Sequence, residues 1–203
     1  LMITFSLLFA VGIFFIAPLF AIRVFDSYIS SSIVSNFIEG IIRLAIFGTY
    51  VFLIGRMADI KRVFAYHGAE HMTIHARENG DKLNIENVRK YPTAHPRCGT
   101  AFLLVVMVVA IIVFTFLGRP PIEWRILSRI ILIPLIAAAS YEVIRFSGTH
   151  SKNILVKFIT APNLAMQSLT TRQPDDGQIE VAIAAVTEAI KADEGKSSLL
   201  DTE

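Results

Sequence analysis

The chain has 203 residues, 54% of them hydrophobic, with 19 Lys and Arg against 17 Asp and Glu and a formal net charge of +2. That length bounds it to one main unit with a small appended region, and the composition is that of a chain whose main solvent is lipid. The small charge gives no electrostatic footprint for nucleic acid, and none is expected as a partner. The single cysteine, Cys98, excludes an internal disulfide and with it the disulfide-stapled secreted class, leaving a buried thiol or a metal ligand.

In chain order, the first apolar stretch covers residues 3–21 and is interrupted only by Pro18. It is too long for a signal peptide and lacks a basic leader and a small-residue cleavage site, so it reads as a membrane span. Because the chain opens Leu1-Met2, the start of the protein is expected to lie upstream. The second span, residues 33–55, holds Glu39 and Arg43, four apart on one helix face where they can pair. Ionisable groups in a bilayer are costly and face a partner or a cavity, so this couple either locks helix packing or serves function. A polar loop follows over residues 56–99. The third span, 101–117, carries no charge, and the fourth, 126–146, carries Pro134 in its middle and Glu142 and Arg145 near its interfacial end. Each of the four stretches approaches or exceeds the roughly 20 residues of helix that a hydrocarbon core requires.

Hydrophobicity falls from Ser147. Apolar segments from Ile154 to Ile159 and from Leu164 to Leu169, broken at Pro162, are expected to lie along the membrane surface beside Lys152 and Lys157. Pro174-Asp175-Asp176 then opens a helix whose residues Ile179, Ile183, Val186 and Ile190 recur at helical spacing, widened by alanines. This stripe either covers the protein's own loop or docks a partner such as another membrane-protein subunit. Lys196 onward is expected to be disordered. The expected fold is an all-α integral membrane protein with four transmembrane helices, a metal-binding loop and an amphipathic helical tail. The membrane domain spans 1–146, including the loop, and the tail 147–203.

Lys and Arg counts in short flanks set orientation. Only Arg23 lies between spans one and two, and Arg119 and Arg125 lie between spans three and four, with Arg129 just inside the fourth. The central loop carries eight such residues between Arg56 and Arg97, and the tail adds more. Loop and tail are therefore expected on the cytoplasmic side, with Cys98 in a reducing compartment.

The loop holds all but one of the five histidines and the cysteine. Residues 59–79 read as a helix ended by Asn79-Gly80. On it lies His67-Gly68-Ala69-Glu70-His71. Two histidines four apart project from one face at a spacing that one metal ion can bridge, and Glu70 lies near that face. This is the inverted zincin order, in which the histidines bind zinc and the glutamate is the general base toward the water that zinc activates. A zinc ion needs a third protein ligand, and a fourth if structural. His95-Pro96-Arg97-Cys98 offers an imidazole and a thiolate three apart. Glu78 offers a carboxylate on the same helix face, and His75 also falls there. The alternative is that the histidines are interfacial groups satisfied by hydrogen bonds and Cys98 is a small buried hydrophobe. His150, alone in the tail, reads as a surface residue.

Tyr66-His67-Gly68-Ala69-Glu70-His71, Glu78, Asn87-Val88-Arg89 and His95-Pro96-Arg97-Cys98-Gly99-Thr100 resemble the signature of the YqhQ-like bacterial membrane proteins. The likeness extends through Glu39-Gly40, Arg43, Asp59-Ile60, Ser140-Tyr141-Glu142, Leu169-Thr170-Thr171-Arg172, Pro174-Asp175-Asp176 and Ile179-Glu180-Val181-Ala182. That family is of unknown function and is often labelled a predicted metal-dependent enzyme. The resemblance therefore implies a metal site more than a reaction. Family members usually carry a soluble, glycine-rich region ahead of the first span, which this sequence lacks, and His75 departs from the family pattern.

Two functions follow as expectations. The first is a zinc-dependent hydrolase at the cytoplasmic face, acting on a membrane-associated lipid or peptide. In it His67 and His71 hold zinc with His95 or Cys98, Glu70 is the base, and Arg97 holds an anionic group. The second is a scaffold or assembly subunit in which His67, His71, His95 and Cys98 close the coordination sphere of a structural zinc.

Overall fold

The computed structural model describes residues 1–96, 98–150 and 153–200. Their regular structure is all helical, with no strand among them. Contacts divide the chain into two compact units: residues 1–53 with 99–159, and residues 54–98 with 160–203.

The first unit opens with one long helix, Met2–Arg23, made of α1 (Met2–Val11), a π-helical turn (Gly12–Ile16) and α2 (Ala17–Arg23). Pro18 explains the irregular turn. It has no N–H to give the carbonyl four residues back, which belongs to Phe14. The Arg43 Nε–H takes that place, donating to Phe14 O at 2.9 Å. Arg43 lies on α3 (Ser32–Ile54), the second helix long and apolar enough to cross a membrane. The uncharged α6 (Gly99–Thr115) is shorter, at 17 residues. The stretch read as one span over 126–146 is instead a bent pair, α7 (Ile122–Ile131) and α8 (Ile133–Thr149), meeting at 44°. Pro134 sits in the first turn of α8, where a proline is tolerated, and the helix breaks just before it.

Beside an apolar cluster of Phe15, Ala110, Phe114 and Ile136, this unit buries polar groups and leaves many apolar ones exposed. On α3, Ser35, Asn36, Glu39 and Arg43 are buried while Ile33, Val34, Phe37 and Ile41 are exposed. On α7, Arg125 and Arg129 are buried while Trp124 and Ile131 are more than 60% exposed. Water drives the opposite arrangement, so this pattern is the one expected of helices solvated by hydrocarbon. The expected Glu39–Arg43 pair forms, at 2.9 Å. It is joined by Arg125, which the flank count had assigned to a connection, and by Arg129, just inside the fourth span. Arg129 reaches both carboxylate oxygens, at 3.1 and 2.8 Å, and Arg125 reaches one at 3.4 Å and Asp26 at 2.9 Å. The Phe114 ring lies between the Arg43 and Arg129 guanidiniums, 5.1 and 4.1 Å from its centroid.

In the second unit, α4 (Ala58–Glu78) matches the helix expected over 59–79 and stops at Asn79 and a positive-φ Gly80. A short α5 (Ile85–Val88) follows, with the Asn84 side chain accepting from the Asn87 N–H at 2.9 Å. Helix α9 (Ile154–Thr170) runs through Pro162, where a break was expected. Helix α10 (Asp176–Leu200) opens on a reciprocal cap. Asp175 Oδ1 accepts from the Gln178 N–H, and Gln178 Oε1 from the Asp175 N–H. The apolar stripe of α10 packs on the unit's own α4 and α5: Ile179 and Ala182 cluster with Ala69, Met72 and Ala76 of α4 and Val88 of α5. Helix continues past Lys196 to Leu200, and the last three residues of the expected disordered end lie outside the described residues.

Candidate metal centre

The face of α4 next to its core stripe carries His67, His71, His75 and Glu78, spaced by four, four and three residues, so they form one row along the helix. Each histidine is fixed through one ring nitrogen by a backbone carbonyl. His67 Nδ1 lies 2.9 Å from Thr170 O, His71 Nδ1 2.6 Å from Thr93 O, and His75 Nε2 2.9 Å from Ala94 O. A carbonyl can only accept, so the bonded nitrogen carries the proton and the other nitrogen keeps its lone pair. His67 and His71 are thus left with Nε2, and His75 with Nδ1. A carbonyl or carboxylate behind a ligating imidazole is the usual support of a metal-binding histidine.

Two groups of ligand atoms result, each within 4.8 Å: His67, His71 and Cys98 in one, and His75, Glu78 and His95 in the other. In the first, Cys98 Sγ lies 3.3 Å from His67 Nε2 and the two imidazoles are 4.3 Å apart between centroids. In the second, His95 Nε2 lies 3.2 Å from Glu78 Oε2 and the His75 and His95 rings are 4.5 Å apart. His95 and Cys98, expected from their spacing to act together, fall in different groups. Gln167 holds His95 by its backbone: Oε1 accepts from the His95 N–H at 2.8 Å and Nε2 donates to its carbonyl at 2.9 Å.

The hydrogen bond with Cys98 pushes the His67 imidazole above its ordinary pKa against the opposing effect of burial, with the Thr170 carbonyl and the charges of Cys98 and Glu70 adding to it. A proton and a divalent cation compete for such a lone pair. Burial first, then the charges of His75 and His71, holds His95 below its usual value, against the pull of Glu78. That keeps it neutral, as a ligand must be. Glu70 is exposed and belongs to neither group. Arg97 lies outside the described residues.

The sequence reading missed the residues that hold the ligands. Segment 170–172 docks across α4, with the Arg172 N–H donating to Phe64 O at 2.9 Å and the Thr170 carbonyl reaching His67. Gly68 permits that approach, because a Cβ there would strike the Arg172 carbonyl oxygen. The signals were a glycine between two ligands and a lone glutamine, Gln167, in an apolar stretch.

Fold and site together define the class: an all-helical membrane protein with a polar unit in which histidines, a cysteine and a glutamate converge. The chain belongs to the family described as protein of unknown function (DUF1385), whose model matches residues 1–192. It is 32% identical over 186 residues to a Bacillus subtilis (strain 168) protein named "Uncharacterized protein YqhQ", covering 92% of this chain and 58% of that relative. The chain therefore spans somewhat over half the length of the relative it matches. No solved structure matches it.

Proposed function

We propose that the protein is a multi-pass, zinc-dependent hydrolase of the bacterial inner membrane, acting on a membrane-associated substrate at the cytoplasmic face. In this reading the helix pair α7–α8 makes one bent span and α6 another, for four spans in all, and loop and tail share the cytoplasmic side by the excess of Lys and Arg there. One observation carries the chemistry. Both His67 and His71 have Nδ1 committed to a backbone carbonyl, which presents Nε2 as the ligand nitrogen beside the Cys98 thiol. Two imidazoles and a thiolate suit zinc and disfavour magnesium or calcium. A bound zinc would supply Lewis-acid activation of water, and three protein ligands leave one position for it. Glu70, one residue before His71, would accept the proton, and Arg97 would hold an anionic substrate group.

The scaffold reading requires a sphere closed by four protein ligands. His95, its fourth, groups with His75 and Glu78, which favours the open site. Complementation of a deletion strain, with metal content measured on each variant, separates the two. Glu70→Gln keeps its metal and fails to complement if the carboxylate is a base, since loss of a general base costs about 10²–10⁴-fold in rate. Full complementation by Glu70→Gln, with His67→Ala losing both metal and function, would establish the scaffold.

A further inference from the structure

We propose that the protein binds a second divalent transition-metal ion, at His75, Glu78 and His95, next to the first site and with none of its donor atoms.

The ligand count requires another home for these groups. Zinc takes four ligands, and six candidate ligand residues converge on this face of α4. They divide cleanly. Ring centroids are 4.3 Å apart for His67–His71 and 4.5 Å for His75–His95, but 5.8 Å for His71–His95, across the two groups. The ligand atoms themselves fall in two sets of three, each within 4.8 Å, with no residue common to both.

Within the second group the donors are arranged as ligands. His75 has Nε2 tied to Ala94 O, so Nδ1 is its lone-pair nitrogen. His95 Nε2 and Glu78 Oε2 are 3.2 Å apart. That is at the long end of the range for a hydrogen bond between a neutral imidazole and a carboxylate. It is close to the separation of about 3.3 Å that two ligands have on one tetrahedral zinc with bonds near 2.0–2.1 Å. The backbone of His95 is fixed from both sides by Gln167, a side chain only 1% exposed. A buried glutamine used to immobilise one loop residue is the support that a ligating residue requires.

The donor set differs in kind from the first. Two imidazoles and a carboxylate, without thiolate, form the ligand set of hydrolytic zinc sites and also suit manganese and iron. Glu78 is 36% exposed while His95 is buried, so the site opens to solvent on its carboxylate side. Cys98 and His71 of the first group are both buried.

Cobalt distinguishes the sites, because only a thiolate-ligated ion gives a sulfur-to-metal charge-transfer band. The full chain is purified in detergent, stripped with a chelator and titrated with Co²⁺. Two equivalents are expected, one with the thiolate band. Glu78→Gln, an isosteric change at the exposed end of α4, and His75→Ala should each bind one equivalent and keep the band. Cys98→Ser should lose the band and retain an equivalent. One equivalent in the wild type that carries the thiolate band and survives Glu78→Gln, or two in both Glu78→Gln and His75→Ala, overturns the second site and leaves the first standing. If Cys98→Ser and His67→Ala change nothing while Glu78→Gln removes an equivalent, the first site falls and the second stands.

Discussion

Gly68→Ala tests whether the segment at 170–172 holds His67 in place. The added Cβ would land on the Arg172 carbonyl oxygen, a backbone atom that cannot rotate away, and would press on Thr93 Cγ2 at 3.3 Å. Relief requires the segment to lift from α4. That forfeits the bond from the Arg172 N–H to Phe64 O and the bond from His67 Nδ1 to Thr170 O. At about 1 kcal/mol each these total about 2 kcal/mol. Alanine in a helix returns about 1 kcal/mol, so the net loss of stability is about 1 kcal/mol, with overpacking of about 1–3 kcal/mol added if the segment resists. Metal affinity should fall further than stability, because His67 loses the carbonyl that fixes its tautomer. Losing such a support costs about 10–100-fold. Competition against a chromophoric zinc chelator measures the affinity, and thermal unfolding in detergent the stability. Gly48→Ala is the control, a helical glycine with nothing within 4 Å of the added Cβ. Wild-type affinity and stability for Gly68→Ala would show that the segment does not support the site.

Two further outcomes are expected. Glu39→Gln removes the one carboxylate shared by Arg43, Arg125 and Arg129 and leaves three buried guanidiniums around a neutral amide. A loss of about 3–5 kcal/mol should appear as a lowered melting point in detergent, and an unchanged one would mean that the arginines find other compensation. Cysteines introduced singly at Asn79 and Asp193, in a Cys98→Ser background, should be shielded from an impermeant thiol reagent in intact cells; labelling of either overturns the proposed orientation.

Much of the second unit was legible because its signals are local. Asn79-Gly80 stops α4 where expected, Pro174-Asp175-Asp176 starts α10, and the i, i+4 spacing of His67 and His71 puts both rings on one face. The carbonyls of Thr93, Ala94 and Thr170 had no signature, because every residue carries the same backbone acceptor. Arg125 and Arg129 were read as flank charges since a count of Lys and Arg has no depth. Only the bend before Pro134 and the inward polar face of α7 show that they point into the unit. Pro162 misled in the other direction, for a proline removes one helical bond and continues when its surroundings tolerate the loss.

The division of α4 into two faces bears on what a metal held by the histidine row would be for. Ala69, Met72 and Ala76 form a buried stripe that meets Val88, Ile179 and Ala182. The histidine row runs beside that stripe and takes no part in it. Small domains depend on structural zinc when they cannot assemble an apolar core, and their metal-free state is then unfolded. Here the loop and the tail share a core, a reciprocal helix cap and an Arg89–Asp176 ion pair, all formed by groups other than the ligands. The ligands are instead held from outside by carbonyls and by Gln167. Holding imidazoles in place on an element that is already packed is how a protein keeps a reactive metal at a fixed position. The placement of the row therefore argues for chemistry at this face.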